Sequence, residues 1–127
     1  MVKQVLVGQS NPKPTYHLFG GETTVTVQKK GHKGRNQKLA LAALLALQGR
    51  PDVCLLAAGT DGVDGASDGA GAFADVEVWS AAAARGLDPT AFLEDNDSHG
   101  FFAAAGAQLY TGPTGTNVAD VIFVVRE

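Results

Sequence analysis

The chain has 127 residues, of which 45% are apolar and 18% charged, with a net charge of −3. That length suits one domain with a core of its own, and that balance excludes a wholly disordered chain. The acidic charge excludes a generally basic nucleic-acid surface, and the apolar runs fall far short of the roughly 20 residues of a membrane helix. Cys54 is the single cysteine, which removes any internal disulfide or cysteine-built metal site and makes a reducing cytoplasm the expected compartment. Lys3, Gln4, Gln9, Ser10 and Asn11 interrupt residues 1–15, a poorly defined lead-in with no signal-peptide pattern.

Residues 16–19 predict a first strand, and TTVTV at 23–27, β-branched throughout, predicts a second. KKGHKG at 29–34 is a basic turn. Residues 36–48 (NQKLALAALLALQ) predict a helix ended by Gly49 with Pro51 beyond it, apolar nearly all round and so buried on more than one side. The continuous apolar run VCLLAA at 53–58 is the pattern of a strand covered on both faces. A long loop follows at 59–71. Trp79, Ala82, Ala83 and Gly86 share one face of a helix running to about Arg85. Asp88 with Pro89 opens a short helix to about Glu94, and Ser98 is the expected cap of another bearing Phe102, Ala105 and Gly106. A rigid turn at 111–117 leads to a last strand at 121–125. Strands alternate with helices and no internal repeat is present, so the expected class is α/β: a three-layer α/β/α arrangement with a mixed, partly parallel sheet of Rossmann-like topology.

Several familiar patterns arise here by chance. Gly65, Ser67 and Gly69 fit the serine-hydrolase elbow, with Asp95 and His99 following, but Ser67 lies nine residues past the strand that would have to present it. Gly69, Gly71 and Ala74 match a loose dinucleotide fingerprint equally remote from a strand, and there is no Walker-type loop. Asp61, Asp64 and Asp68 lack EF-hand spacing.

Three constellations carry more weight. Lys29, Lys30, Lys33, Arg35 and Lys38 are half of all Lys and Arg in an acidic chain, with His32 among them. The lysines read as a solvated turn. Arg35 differs, because it stands with Asn36 at a helix start, where open N–H groups and a planar guanidinium suit an oxyanion. The second is the loop at 59–71, with five glycines and three aspartates in thirteen residues, Thr60, Asp61 and Asp64 among them. It follows the carboxyl end of a strand, where α/β sheets bind ligands, and its paired carboxylates could hold Mg²⁺ or accept a proton from a hydroxyl. The third, residues 111–120, offers Thr114 and Asn117 as polar contacts for an anion or a hydroxylated ligand, or else a plain turn capped by Asn117 and Asp120. Glu22 adds a polar contributor at a strand start.

Taken in order, GGETTVTV (20–27), GRNQ (34–37), AAGTDGVDG (57–65), LEDNDSHGFF (93–102) and TGPTGTNVAD (111–120) resemble the C-terminal (MOFRL) domain of the type II glycerate kinases, a family also labelled hydroxypyruvate reductase. The resemblance runs from about residue 17 to the end, as a single MOFRL-like domain. It implies a kinase using ATP and Mg²⁺ to phosphorylate the 2-hydroxyl of D-glycerate, with its active site in a cleft between two α/β domains. Glu22, Arg35, Asn36, Thr60, Asp61, Asp64, Thr114 and Asn117 are the matching positions expected to line that cleft. Arg35 would clamp a carboxylate or phosphate, and Asp61 or Asp64 would orient the hydroxyl or hold the metal. The family's N-terminal domain, with its catalytic lysine, has no counterpart here, and Lys33 and Ala119 depart from the family's usual residues. Two expectations follow. Either the chain is the C-terminal half of a glycerate kinase, inactive until a partner domain completes it, or it is a stand-alone module binding an anion or small hydroxy acid without catalysis. Its uncovered surface would also favour a homo-oligomer.

Overall fold

The computed structural model describes residues 14–21, 34–64, 69–115 and 120–127. The expected strand at 23–27, the basic turn at 29–33, and Glu22, Ser67 and Asn117 lie outside the described residues.

Among the described residues nine elements follow in order: β1 (Thr15–Gly21), α1 (Arg35–Leu47), β2 (Val53–Gly59), β3 (Gly71–Ala74), α2 (Val76–Ala84), α3 (Pro89–Glu94), α4 (Ser98–Ala105), β4 (Gln108–Leu109) and β5 (Asp120–Arg126). The strands form one open sheet in the order β1-β5-β2-β3-β4. The α/β class is as expected, but the pairing is not: every described strand pair is antiparallel. β1 and β2 do run in the same direction, with α1 between them in sequence. They never touch, because β5 inserts between them and pairs antiparallel with both. β2 and β3, consecutive among the described elements, pair antiparallel as well. A Rossmann-like, partly parallel sheet is thereby corrected.

Three of the four helices start on a cap from the residue just before them. Asp75 and Asp88 cap α2 and α3 through their side chains, accepting from Val78 N at 2.9 Å and Thr90 N at 3.1 Å. Asp97, not Ser98, caps α4, its carboxylate accepting from Gly100 N at 3.1 Å while Ser98 is the first helical residue. α1 closes on Gln48 in the left-handed region at φ 50°, followed by Gly49 at φ 78°.

Alternation along the strands sorts the sheet into two faces. Val53, Leu55 and Ala57 of β2, Ile122 and Val124 of β5, and Ala72 and Ala74 of β3 point inward, into one cluster with Leu41, Leu44, Phe101 and Phe102 from the helices. Leu41 and Leu44 are fully buried, each worth roughly 1.5–3 kcal/mol of burial. Phe101 and Phe102 meet edge to face at 5.1 Å. Among the described residues, the buried helix side chains gather on this inner face. None of the outward side chains of the strands belongs to the cluster. The third layer of the expected sandwich therefore has no described counterpart.

Candidate functional site

The carboxyl ends of β1 and β2, the first residues of β5 and the start of α1 converge at one end of the sheet. α1 has Gly34 at its cap position, with no side chain to satisfy the free N–H groups of the first turn. Asp64 does this from the β2–β3 loop: Asn36 N donates to its Oδ1 at 2.9 Å and Gln37 N to its Oδ2 at 2.8 Å. A side chain at residue 34 could not coexist with that cap, since a Cβ there would stand 2.3 Å from Asp64 Oδ2.

Two of the N–H groups that the sequence leaves open to an external anion are thus occupied from within. Asp64 is 1% exposed, and both its oxygens serve the helix start. Arg35 is likewise engaged: its Nε donates to Asp120 Oδ2 at 2.5 Å and its Nη2 to Oδ1 at 3.2 Å. Asp120 is nearly buried while the Arg35 side chain stays 44% exposed, so the pair sits at the edge of the buried network. Asn36 links the two carboxylates, its Nδ2 donating to Asp64 Oδ1 and Asp120 Oδ1, each at 3.2 Å. Its own Oδ1 is buried without a hydrogen-bond partner among the described residues. An orphaned carbonyl oxygen inside a charged network costs free energy unless a donor or cation meets it.

Asp61 sits otherwise. Its Oδ1 accepts from Val63 N at 3.0 Å in a local turn, and the residue is half-buried. Asp61 Oδ1 and Asn36 Nδ2 both lie within 4 Å of where a Cβ on Gly59 would be, so this glycine keeps the space between them open. Residues 111–114 close the site from the side. Thr114 Oγ1 donates to Thr60 O at 2.5 Å and Thr114 N to Asp61 O at 3.2 Å. Gly62, at φ +87°, approaches Gly112 so closely that a Cβ would stand 2.0 Å from its carbonyl oxygen.

Of the positions singled out in the sequence, Arg35, Asn36, Thr60, Asp61, Asp64 and Thr114 therefore come together. Asp120, which reads in sequence as a turn cap, is the residue that joins Arg35 to Asn36. Its signal was its place at the start of a strand beside the Gly/Thr turn. Gln37 and Gln108 also escape sequence reasoning. Gln37 is fully buried, and Gln108 Nε2 donates to its Oε1 at 2.8 Å while lying 2.6 Å from His99 Nδ1. Tyr110 OH donates to Gln108 Oε1, extending this polar strip to the surface.

Oxygen donors such as Asp61 and the orphaned Asn36 carbonyl suit a hard cation. Among the described residues no group of three or more His, Cys, Asp or Glu could enclose a metal. Mg²⁺ commonly takes only one or two ligands from a protein and the rest from phosphate and water, so Asp61 and the Asn36 carbonyl are the oxygens on this wall that could meet it.

The molecule is thus an α/β domain whose loop cluster is tied together by buried carboxylates. The sequence profile of the MOFRL family matches residues 15–120, and the chain belongs to that family. It is 50% identical over 110 residues to a D-glycerate 2-kinase of Thermotoga maritima, which covers 87% of this chain and 26% of that protein. Against a human glycerate kinase the identity is 50% over 114 residues, covering 84% and 22%. The crystal structure of a Thermotoga maritima glycerate kinase superposes with a TM-score of 0.86 at 48% identity, over 91% of this chain and 28% of that one. The chain thus spans about a quarter of the length of these relatives, not the half that the sequence reading supposes. Among the described residues, no helix is long and apolar enough to cross a membrane.

Proposed function

We propose that this chain forms one wall of the active-site cleft of a glycerate 2-kinase, which transfers the γ-phosphoryl group of ATP to the 2-hydroxyl of D-glycerate, and that it is inactive alone. What carries the reading is the convergence of Arg35, Asn36, Asp61 and Thr114 at one sheet end, in a chain half identical to a D-glycerate 2-kinase. Arg35, anchored by Asp120 and half-exposed, would bring its positive charge to the substrate carboxylate or a phosphate. Asn36 Oδ1 would accept from a substrate hydroxyl or meet the cation. Asp64 is committed to the helix start, so among the described site residues Asp61 is the carboxylate that would orient the hydroxyl and take its proton as oxygen attacks phosphorus and the bond to ADP breaks. Mg²⁺, with Asp61 as a ligand on this wall, would neutralise charge on the phosphates. The remaining wall and the catalytic lysine would come from the N-terminal part of the kinase. Without them, positioning and charge neutralisation are both incomplete.

The test replaces the matching stretch of the Thermotoga maritima enzyme with this chain. The chimaera is expected to release ADP in a glycerate-dependent manner, while the 127-residue chain alone does not. Asp61→Asn should lower turnover by about a hundredfold or more with an unchanged melting temperature. A cooperatively folded chimaera without turnover, or an Asp61→Asn chimaera at full rate, sinks the assignment.

A further inference from the structure

Strand residues directly opposite one another share a face, so the register places Tyr16 and Leu18 of β1, Val121, Phe123 and Val125 of β5, and Leu56 of β2 together on the outer side of the sheet. No described strand residue on that side carries a charge. Leu18 is 69% exposed, Tyr16 66% and Phe123 38%, and the rings of Tyr16 and Phe123 stack at 6.2 Å. An antiparallel sheet with one wet face alternates apolar and polar residues, whereas strands apolar on both faces belong to sheets covered on both.

We propose that this outer face is the seat of a second apolar layer, an amphipathic segment laid across β1 and β5 and supplied by the part of a glycerate kinase that this chain does not span. The inference rests on the reading of the chain as one portion of such a kinase. Size decides the occupant. β1 and β5 have seven residues each, about 23 Å at roughly 3.3 Å per residue. The three strands that carry these residues, about 4.8 Å apart, form a band about 14 Å wide, which gives a patch on the order of 300 Å². A stable complex between separate chains buries about 800 Å² per partner and must offset lost translational and rotational freedom. A second copy seated on this face alone falls short of that. A segment tethered within the same chain does not bear that loss. The relatives have that chain to give, since the matched stretch is 26% of one and 28% of the other.

The test sets Leu18→Glu and Phe123→Glu in two contexts, the 127-residue chain and the chimaera described above. In the isolated chain both sites are open, so each change should move Tm by less than about 2 °C. In the chimaera a buried unpaired carboxylate should lower Tm by roughly 5 °C or more. The isolated chain should also bind a hydrophobic dye and lose that binding on Leu18→Glu, a measurement that stands even if the chimaera folds poorly. Absence of dye binding overturns the proposal, as do equal small Tm shifts in both contexts. A large shift in the isolated chain overturns it too: with a fall in mass by light scattering the occupant is a second copy, and without one it lies within these 127 residues. ADP release by the chimaera reads the functional proposal separately. The Tm pattern without turnover sinks the function and keeps the seat, and turnover without the pattern does the reverse.

Discussion

Two arginine–aspartate pairs in this molecule share one distance and little else. Arg35 and Asp120 meet at 2.5 Å at the loop end of the sheet, across 85 positions of sequence. Arg50 and Asp52 meet at the same 2.5 Å at the opposite end, two residues apart. Asp120 is 4% exposed and shares its carboxylate with Asn36, so its pair joins α1 to β5 and, through Asn36, to Asp64. Asp52 and Arg50 are each about a third exposed and belong to the turn between α1 and β2, with Arg126 a further 3.7 Å contact. Equal geometry therefore does not mean equal consequence. A charge pair shapes the fold when one partner is buried and the two are remote in sequence, and it does little when both groups keep their water.

Asp64→Ala tests the buried end hardest. It leaves the N–H groups of Asn36 and Gln37 without acceptors, and a loss of about 3 kcal/mol or more is expected in urea unfolding of the isolated chain. Asp120→Ala should cost about 1.5–3 kcal/mol, less because the half-exposed Arg35 can turn to water. Asp52→Ala, at the other end, should stay within about 0.5 kcal/mol, and a larger value would break the contrast.

The pH dependence sharpens the same point. The hydrogen bond from Arg50 holds the Asp52 carboxyl below the usual carboxylate range, against slight burial that pushes the other way. A group lowered in the folded state stabilises fully above its unfolded value and loses that contribution as pH falls through the folded one. The difference between wild type and Asp52→Asn should therefore be flat from pH 8 to 5 and shrink only below about pH 4. Cys54 provides the smallest effect, one on reactivity alone. Burial pushes its thiol up, and Asp75 nearby adds to the rise. Its reaction with a disulfide reagent at pH 8 should be slower than that of a free thiol, and should recover at higher pH.

Most of this architecture was legible in residues whose message is local. The apolar run at 36–48 and the Gly49 and Pro51 stop marked α1 within a residue, and Asp88 with Pro89 marked α3. The short strands β3 and β4 were not legible, because GAFA and QL are too brief to show alternation and lie among glycine and alanine. The parallel pairing was misjudged because VCLLAA reports only that both faces of β2 are apolar, not which strand lies beside it. At the site, Arg35, Asn36 and the aspartates were readable as residue types in a setting suited to ligands. Their division of labour was not: nothing in the spacing of Asp61 and Asp64 says that one caps a helix 27 residues upstream while the other stays half-open.

The position of β5 has a consequence for the time course of folding. The strand latest in chain order lies in the interior of the sheet, between β1 and β2, and pairs Thr15 with Arg126 across 111 positions. β1 and the facing edge of β2 cannot be joined until β5 has been made. The sheet therefore closes through contacts of long sequence separation that carry a large loop-closure entropy and fold slowly. A truncation that removes β5 takes away the partner of two strands at once.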